Sequence, residues 1–220
     1  MDGVPHGWVV ARVRLDAGVP VAVGWSVLAG AAEALAATAG CAAVGVDIPL
    51  GLPAGTDPRA CEVRARERLG RDRSSLFLTP PRPVLEAPTY PEACAVARRL
   101  TGRAISLQTF HIGAKVREWE ALDRPAHVVE VHPELSLRAL APDVTFARKK
   151  TARGAGQRIA SLARWVDPAV ALGDLPGGAR LDDVLDALAA AWSAARLARG
   201  DADELGEEDD DRGRPMRIVV

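Results

Sequence analysis

The stretch CAAVGVDIPLGLP, residues 41–53, decides how the chain is read. Its first six residues form a short, wholly apolar run, the mark of a strand buried at the centre of a sheet. Asp47 ends the run, and the prolines and glycine of IPLGLP stop regular structure behind it. An acid at the carboxyl end of a central strand opens into the crevice where α/β sheets bind ligands. The competing reading is a turn-forming aspartate that bonds nearby backbone.

Upstream, WVVARVRL (8–15) and VPVAVGWSV (19–27) are rich in β-branched residues, and Asp16-Ala17-Gly18 predicts a hairpin turn between them. Residues 29–40 predict a helix ending at Gly40. Downstream, 57–125 changes character. Asp57-Pro58 can cap a helix running to Gly70, residues 71–83 form an arginine- and proline-rich loop, and helices are expected near 91–101 and 105–122. The segment reads as helical material inserted into a sheet-based core. HVVEVHPE (127–134) returns to strand and ends at Pro133, and helices are expected over 134–141, 154–166 and 181–199. The acidic run DADELGEEDDD (201–211) predicts a solvated loop, and RPMRIVV (214–220) either an edge strand or a frayed end. This order argues for a mixed α/β sheet.

Composition bounds the function. The 220 residues carry a net charge of -1, which excludes a global basic field for coating nucleic acid and leaves a local site open. Cys41, Cys61 and Cys94 form no metal spacing, and no apolar run approaches a membrane span. The expectation is a cytoplasmic protein with no membrane partner.

Three further groups could carry chemistry. Glu130 and His132 share one face of a strand, where a carboxylate beside an imidazole can serve a metal, a general base or a supporting hydrogen bond. In LDDVLDALAAAW (181–192), Asp183 and Asp186 lie one helical turn apart. Capping accounts for Asp182, the expected N-cap, and for Asp183, but not for Asp186, which runs straight into ALAAAW. A buried carboxylate is costly unless paired or bound to a cation. The last group is cationic or polar. Lys149, Lys150 and Arg158 surround a loop feeding a helix, and Gln108 and Lys115 lie on another, so together they are candidate phosphate contacts.

The blocks GVDIPLGLP (45–53), RACEVRARERLG (59–70), TGRAISLQTFHIGAKVRE (101–118), VVEVHPELS (128–136), KKTARGAGQR (149–158), LDDVLDALAAAW (181–192) and DRGRPMRI (211–218) resemble, in order, a family of predicted nucleases with a ribonuclease-H-like fold, domain of unknown function 429. The resemblance implies a single domain over 1–220. Its mixed sheet would be flanked by helices, with 57–125 inserted between the fourth and fifth strands. It implies a carboxylate set of Asp2, Asp47, Asp183 and Asp186, with Glu130 as a further family feature and His132 orienting water or a ligand. It also implies magnesium or manganese, and a mechanism in which two ions about 3.5–4 Å apart clamp a phosphodiester. Family members begin with a strand running into Asp-Gly, whereas Met1-Asp2-Gly3 opens this sequence, so the first strand is expected to be truncated. The partner would be nucleic acid or a phosphate ester. Two alternatives stand beside the nuclease: a non-catalytic nucleic-acid or nucleotide binder that keeps the fold, and a small-molecule phosphoryl-transfer enzyme.

Overall fold

The computed structural model describes residues 1–220. Strands β1 (Asp2–Val4), β2 (Gly7–Asp16) and β3 (Val19–Leu28) lead into helix α1 (Ala31–Ala37) and strand β4 (Val44–Val46). Helices α2 (Ala60–Leu69), α3 (Arg82–Leu85), α4 (Tyr90–Thr101) and α5 (Leu107–Glu120) follow. Strand β5 (Val128–Val131) precedes α6 (Pro133–Leu140), α7 (Ala152–Leu162), α8 (Pro168–Leu172) and α9 (Leu181–Arg199). Strands β6 (Glu204–Asp209) and β7 (Pro215–Val219) complete the order. The chain is thus a mixed α/β protein. It divides into two compact units: Met1–Asp47, Ala126–Asp203 and Val219–Val220 form one, and Ile48–Pro125 with Glu204–Ile218 the other. No helix is long and apolar enough to cross a membrane.

The first unit is built on strands of both directions. β1, β2 and β3 are antiparallel neighbours. The turn between β2 and β3 places Ala17 and Gly18 at φ 47 and 83°, the paired left-handed conformation whose twist matches a hairpin. β4 and β5 run parallel, with Val46 beside Glu130. Two backbone bonds join these sets. The Met1 nitrogen donates to Gly45 O at 2.7 Å, and the Asp47 N–H donates to Met1 O at 3.0 Å. That is the slanted pattern of a parallel ladder. The order across the unit is therefore β3-β2-β1-β4-β5, with β1 and β4 side by side at the centre.

Helix α9 is buried on nearly every face because each face has its own partner. Leu185, Leu188 and Ala189 pack with Leu137, Leu162 and Val166, while Ala187 meets Val4 and Val9, and Ala190 meets Val131 and Val219. Small residues let it lie close to the sheet. A Cβ on Gly45 would stand 2.5 Å from the Ala190 carbonyl oxygen, so only glycine fits there.

The second unit holds buried charge in ion-paired networks. Arg59 donates to Glu62 at 2.8 Å, and Glu62 also accepts from the Thr79 N–H. Arg82 binds Glu120 at 2.6 Å and Asp210 at 3.1 Å. Asp210 further accepts from the N–H groups of Leu52, Arg212 and Arg214. Although burial opposes it, those N–H groups and Arg82 hold the Asp210 carboxyl below the usual range.

Two expectations are corrected here. Helix α2 starts at Ala60 with Arg59 at its N-cap, not at Asp57-Pro58, because Arg59 turns inward to Glu62 and to the carbonyls of Leu50 and Gly51. The acidic run is not a solvated loop. Leu205 and Gly206 are buried, and β6 pairs with β7 while its exposed charges face water.

Candidate functional site

Three elements bring acids to one place in the first unit. Asp2 opens β1, Asp47 follows β4 directly, and Asp186 sits in the second turn of α9. The central pairing of β1 with β4 puts Asp2 and Asp47 together, and the close seat of α9 over Gly45 carries Asp186 toward them. Asp2 and Asp186 are buried, at 9 and 2% exposure, and Asp47 is half-buried.

The electrostatics record the convergence. Burial, then the charge of Asp186, pushes Asp47 from an ordinary 3.8 to about 7, while Lys149 opposes the rise. Burial and the charges of Asp47 and Asp186 lift Asp2 well above the usual carboxylate range. Burial also raises Asp186, against the pull of Lys149. Glu130, 5% exposed on β5, adds its charge to the field at Asp47, and Asp183 adds a smaller push at Asp2.

The counter-ion is Lys149. Its Nζ lies 2.6 Å from Asp186 Oδ2. Burial disfavours the ammonium, but Asp186 by charge and hydrogen bond, followed by Asp2 and Asp47, holds its pKa above the ordinary value. The sequence offers no signal for this pair, since the partners stand 37 residues apart. Hard carboxylate oxygens suit magnesium or manganese. As the side chains stand, however, no three His, Cys, Asp or Glu groups are arranged to hold an ion.

The remaining candidates take other places. Asp182 is not the N-cap of α9. Arg180 occupies that position, and Asp183 Oδ2 accepts its N–H at 3.1 Å, so Asp183 spends one oxygen on the helix end. Arg158 is buried at 3% exposure, ion-paired with Glu134, donating to the carbonyls of Ala147 and Gly154 and lying over the Phe146 ring. Its donors fix the loop ahead of α7. Glu134, the acid it pairs with, sits in the first turn of α6 and carried no functional signal in the sequence. His132 is the half-buried N-cap of α6, just past Glu130. Lys150 is exposed beside Lys149. Gln108, exposed, and Lys115, half-buried, belong to α5 of the second unit.

No curated protein and no solved structure matches the chain. A family model described as Protein of unknown function (DUF429) matches residues 1–211. With nearly its whole length inside that match, the chain belongs to the DUF429 family.

Proposed function

We propose that the first unit is the catalytic unit of a metal-dependent nuclease, a hydrolase of phosphodiester bonds with a ribonuclease-H-like sheet. The observation that carries the reading is the meeting of Asp2, Asp47 and Asp186, from two adjacent central strands and a late helix, where the charges of Asp47 and Asp186 oppose ionisation of Asp2 and that of Asp186 opposes ionisation of Asp47. A fold that only had to be stable gains nothing from three such carboxylates. The strand order β3-β2-β1-β4-β5 supports the architecture.

Asp2, Asp47 and Asp186 would hold magnesium or manganese, with Glu130 and the free oxygen of Asp183 at the margin. When bound, such ions acidify a water and stabilise charge on the phosphate oxygens. The chain's own part is to place carboxylates on rigid elements, exclude bulk water from Asp2 and Asp186, and offer Lys149 and Lys150 to flanking phosphates. His132, one residue beyond β5, would orient water or a ligand.

The test is a hydrolysis screen on single-stranded, duplex and branched DNA, RNA, hybrids and simple phosphate esters with either metal. Asp47→Asn and Asp186→Asn should abolish activity and metal binding. Absence of metal-dependent cleavage on every substrate sinks the nuclease. The Lys149–Asp186 pair favours a second reading, in which the lysine permanently neutralises the cluster and the fold binds nucleic acid or nucleotides without catalysis. Metal binding in calorimetry separates the two. Cleavage of small esters alone would favour the phosphoryl-transfer alternative.

A further inference from the structure

We infer that Lys149 is the resident cation of the acid cluster, and that a divalent metal and a phosphodiester anion displace it together, each raising the affinity for the other. The inference rests on the metal-dependent reading above and names how that site is regulated.

The geometry requires an exchange. Asp186 is 3% exposed and its Oδ2 is already bonded to the Lys149 ammonium at 2.6 Å. A divalent ion on that carboxylate and an ammonium at the same oxygen would be like charges at contact distance in a poorly hydrated place. One must leave. The other cation acting on Asp186, Arg158, is buried and tied to Glu134 and two carbonyls, so it cannot move aside. Lys149 can. Its side chain is 42% exposed, and it reaches the cluster from a loop rather than from a helix or strand.

Its destination is also set. Residues 148–153 read RKKTAR, with Arg148, Lys150 and Arg153 all exposed. Thr151 caps α7 immediately afterwards, its side chain accepting from the Gly154 N–H. An ammonium leaving Asp186 joins a strip of three cations at the start of a helix, a place where an anion lowers its energy. A phosphodiester there draws Lys149 off the carboxylate and opens Asp186 to metal. By linkage, metal binding then frees Lys149 for phosphate by the same factor.

The experiment is calorimetric titration of the full chain with manganese, slightly alkaline so that protons do not replace the lysine. Wild type, Lys149→Met and the control Arg99→Met, an exposed cation on α4, are compared, with and without dimethyl phosphate as a simple phosphodiester anion. Thermal unfolding confirms that each variant is folded. Removing the competing ammonium should tighten manganese binding by about fivefold, the equivalent of one partly exposed ion pair. Arg99→Met should match wild type. Dimethyl phosphate should tighten manganese binding by wild type and leave Lys149→Met unchanged. Equal or weaker binding by Lys149→Met overturns the inference and leaves the metal site standing. If no form of the protein binds manganese, the metal-dependent reading itself fails and the inference falls with it.

Discussion

Asp47→Asn should stabilise the metal-free protein. Burial and the charge of Asp186 raise the Asp47 pKa from 3.8 to about 7. The folded protein therefore holds this proton more tightly than the unfolded chain does. Unfolding free energy then falls as pH rises from the ordinary carboxylate range, and the loss is complete above the folded pKa. At about 1.4 kcal/mol per pH unit of difference, the full penalty is about 4 kcal/mol. Water reaching this half-buried group, and its coupling to Asp2 and Asp186, reduce what is measured to about 2–4 kcal/mol. Asparagine keeps the shape and never ionises. The stability difference between variant and wild type should be near zero at about pH 4, grow through the interval, and level off above about pH 7. Urea unfolding with a chelator present, followed by tryptophan fluorescence, measures it. Adding manganese should then stabilise wild type and not the variant. If Asp47→Asn is no more stable than wild type at about pH 8, or the difference does not grow with pH, the reasoning about the cluster is wrong.

Gly45→Ala should cost about 3 kcal/mol or prevent folding, because its Cβ would lie 2.5 Å from Ala190 O; a loss within about 0.5 kcal/mol would mean α9 does not sit that close. Glu62→Leu should cost about 3–5 kcal/mol by stranding Arg59, and adding Arg59→Met should recover much of it in a double-mutant cycle; additive losses would deny the pair. Asp183→Ala should cost about 1 kcal/mol of stability through the lost bond to the Arg180 N–H while leaving measurable manganese binding, whereas Asp186→Asn should abolish that binding. Equal loss of binding by both would place Asp183 at the heart of the site.

Much of the candidate site could be read from local pattern. The apolar run ahead of Asp47 signals a buried strand, and its last three residues, Val44–Val46, form β4, so strand and acid came together. The β2–β3 hairpin, β5 with Glu130 and the long helix through Asp186 each announce themselves by a short-range period. β6 did not, because edge strands carry charge on their wet side and an acidic run reads as loop. The true N-cap of α9 was missed because Asp182 looks like a better cap than Arg180, while Asp183 reaches back to bond the Arg180 N–H.

By itself, then, the sequence determined that Asp47 ends a buried strand, that Glu130 lies on a strand and that Asp186 lies inside a helix, since those depend on short-range patterns that neighbours along the chain impose, whereas the short β1 that carries Asp2 shows no such pattern. Only the tertiary structure decided that Asp2, Asp47 and Asp186 share a field, that Lys149 lies against Asp186, and that Arg158 is spent on Glu134. Those outcomes turn on the pairing of β1 with β4 and on one glycine that lets a helix approach its strand. Charges interact through space, and no local pattern encodes a distance between residues far apart in the chain.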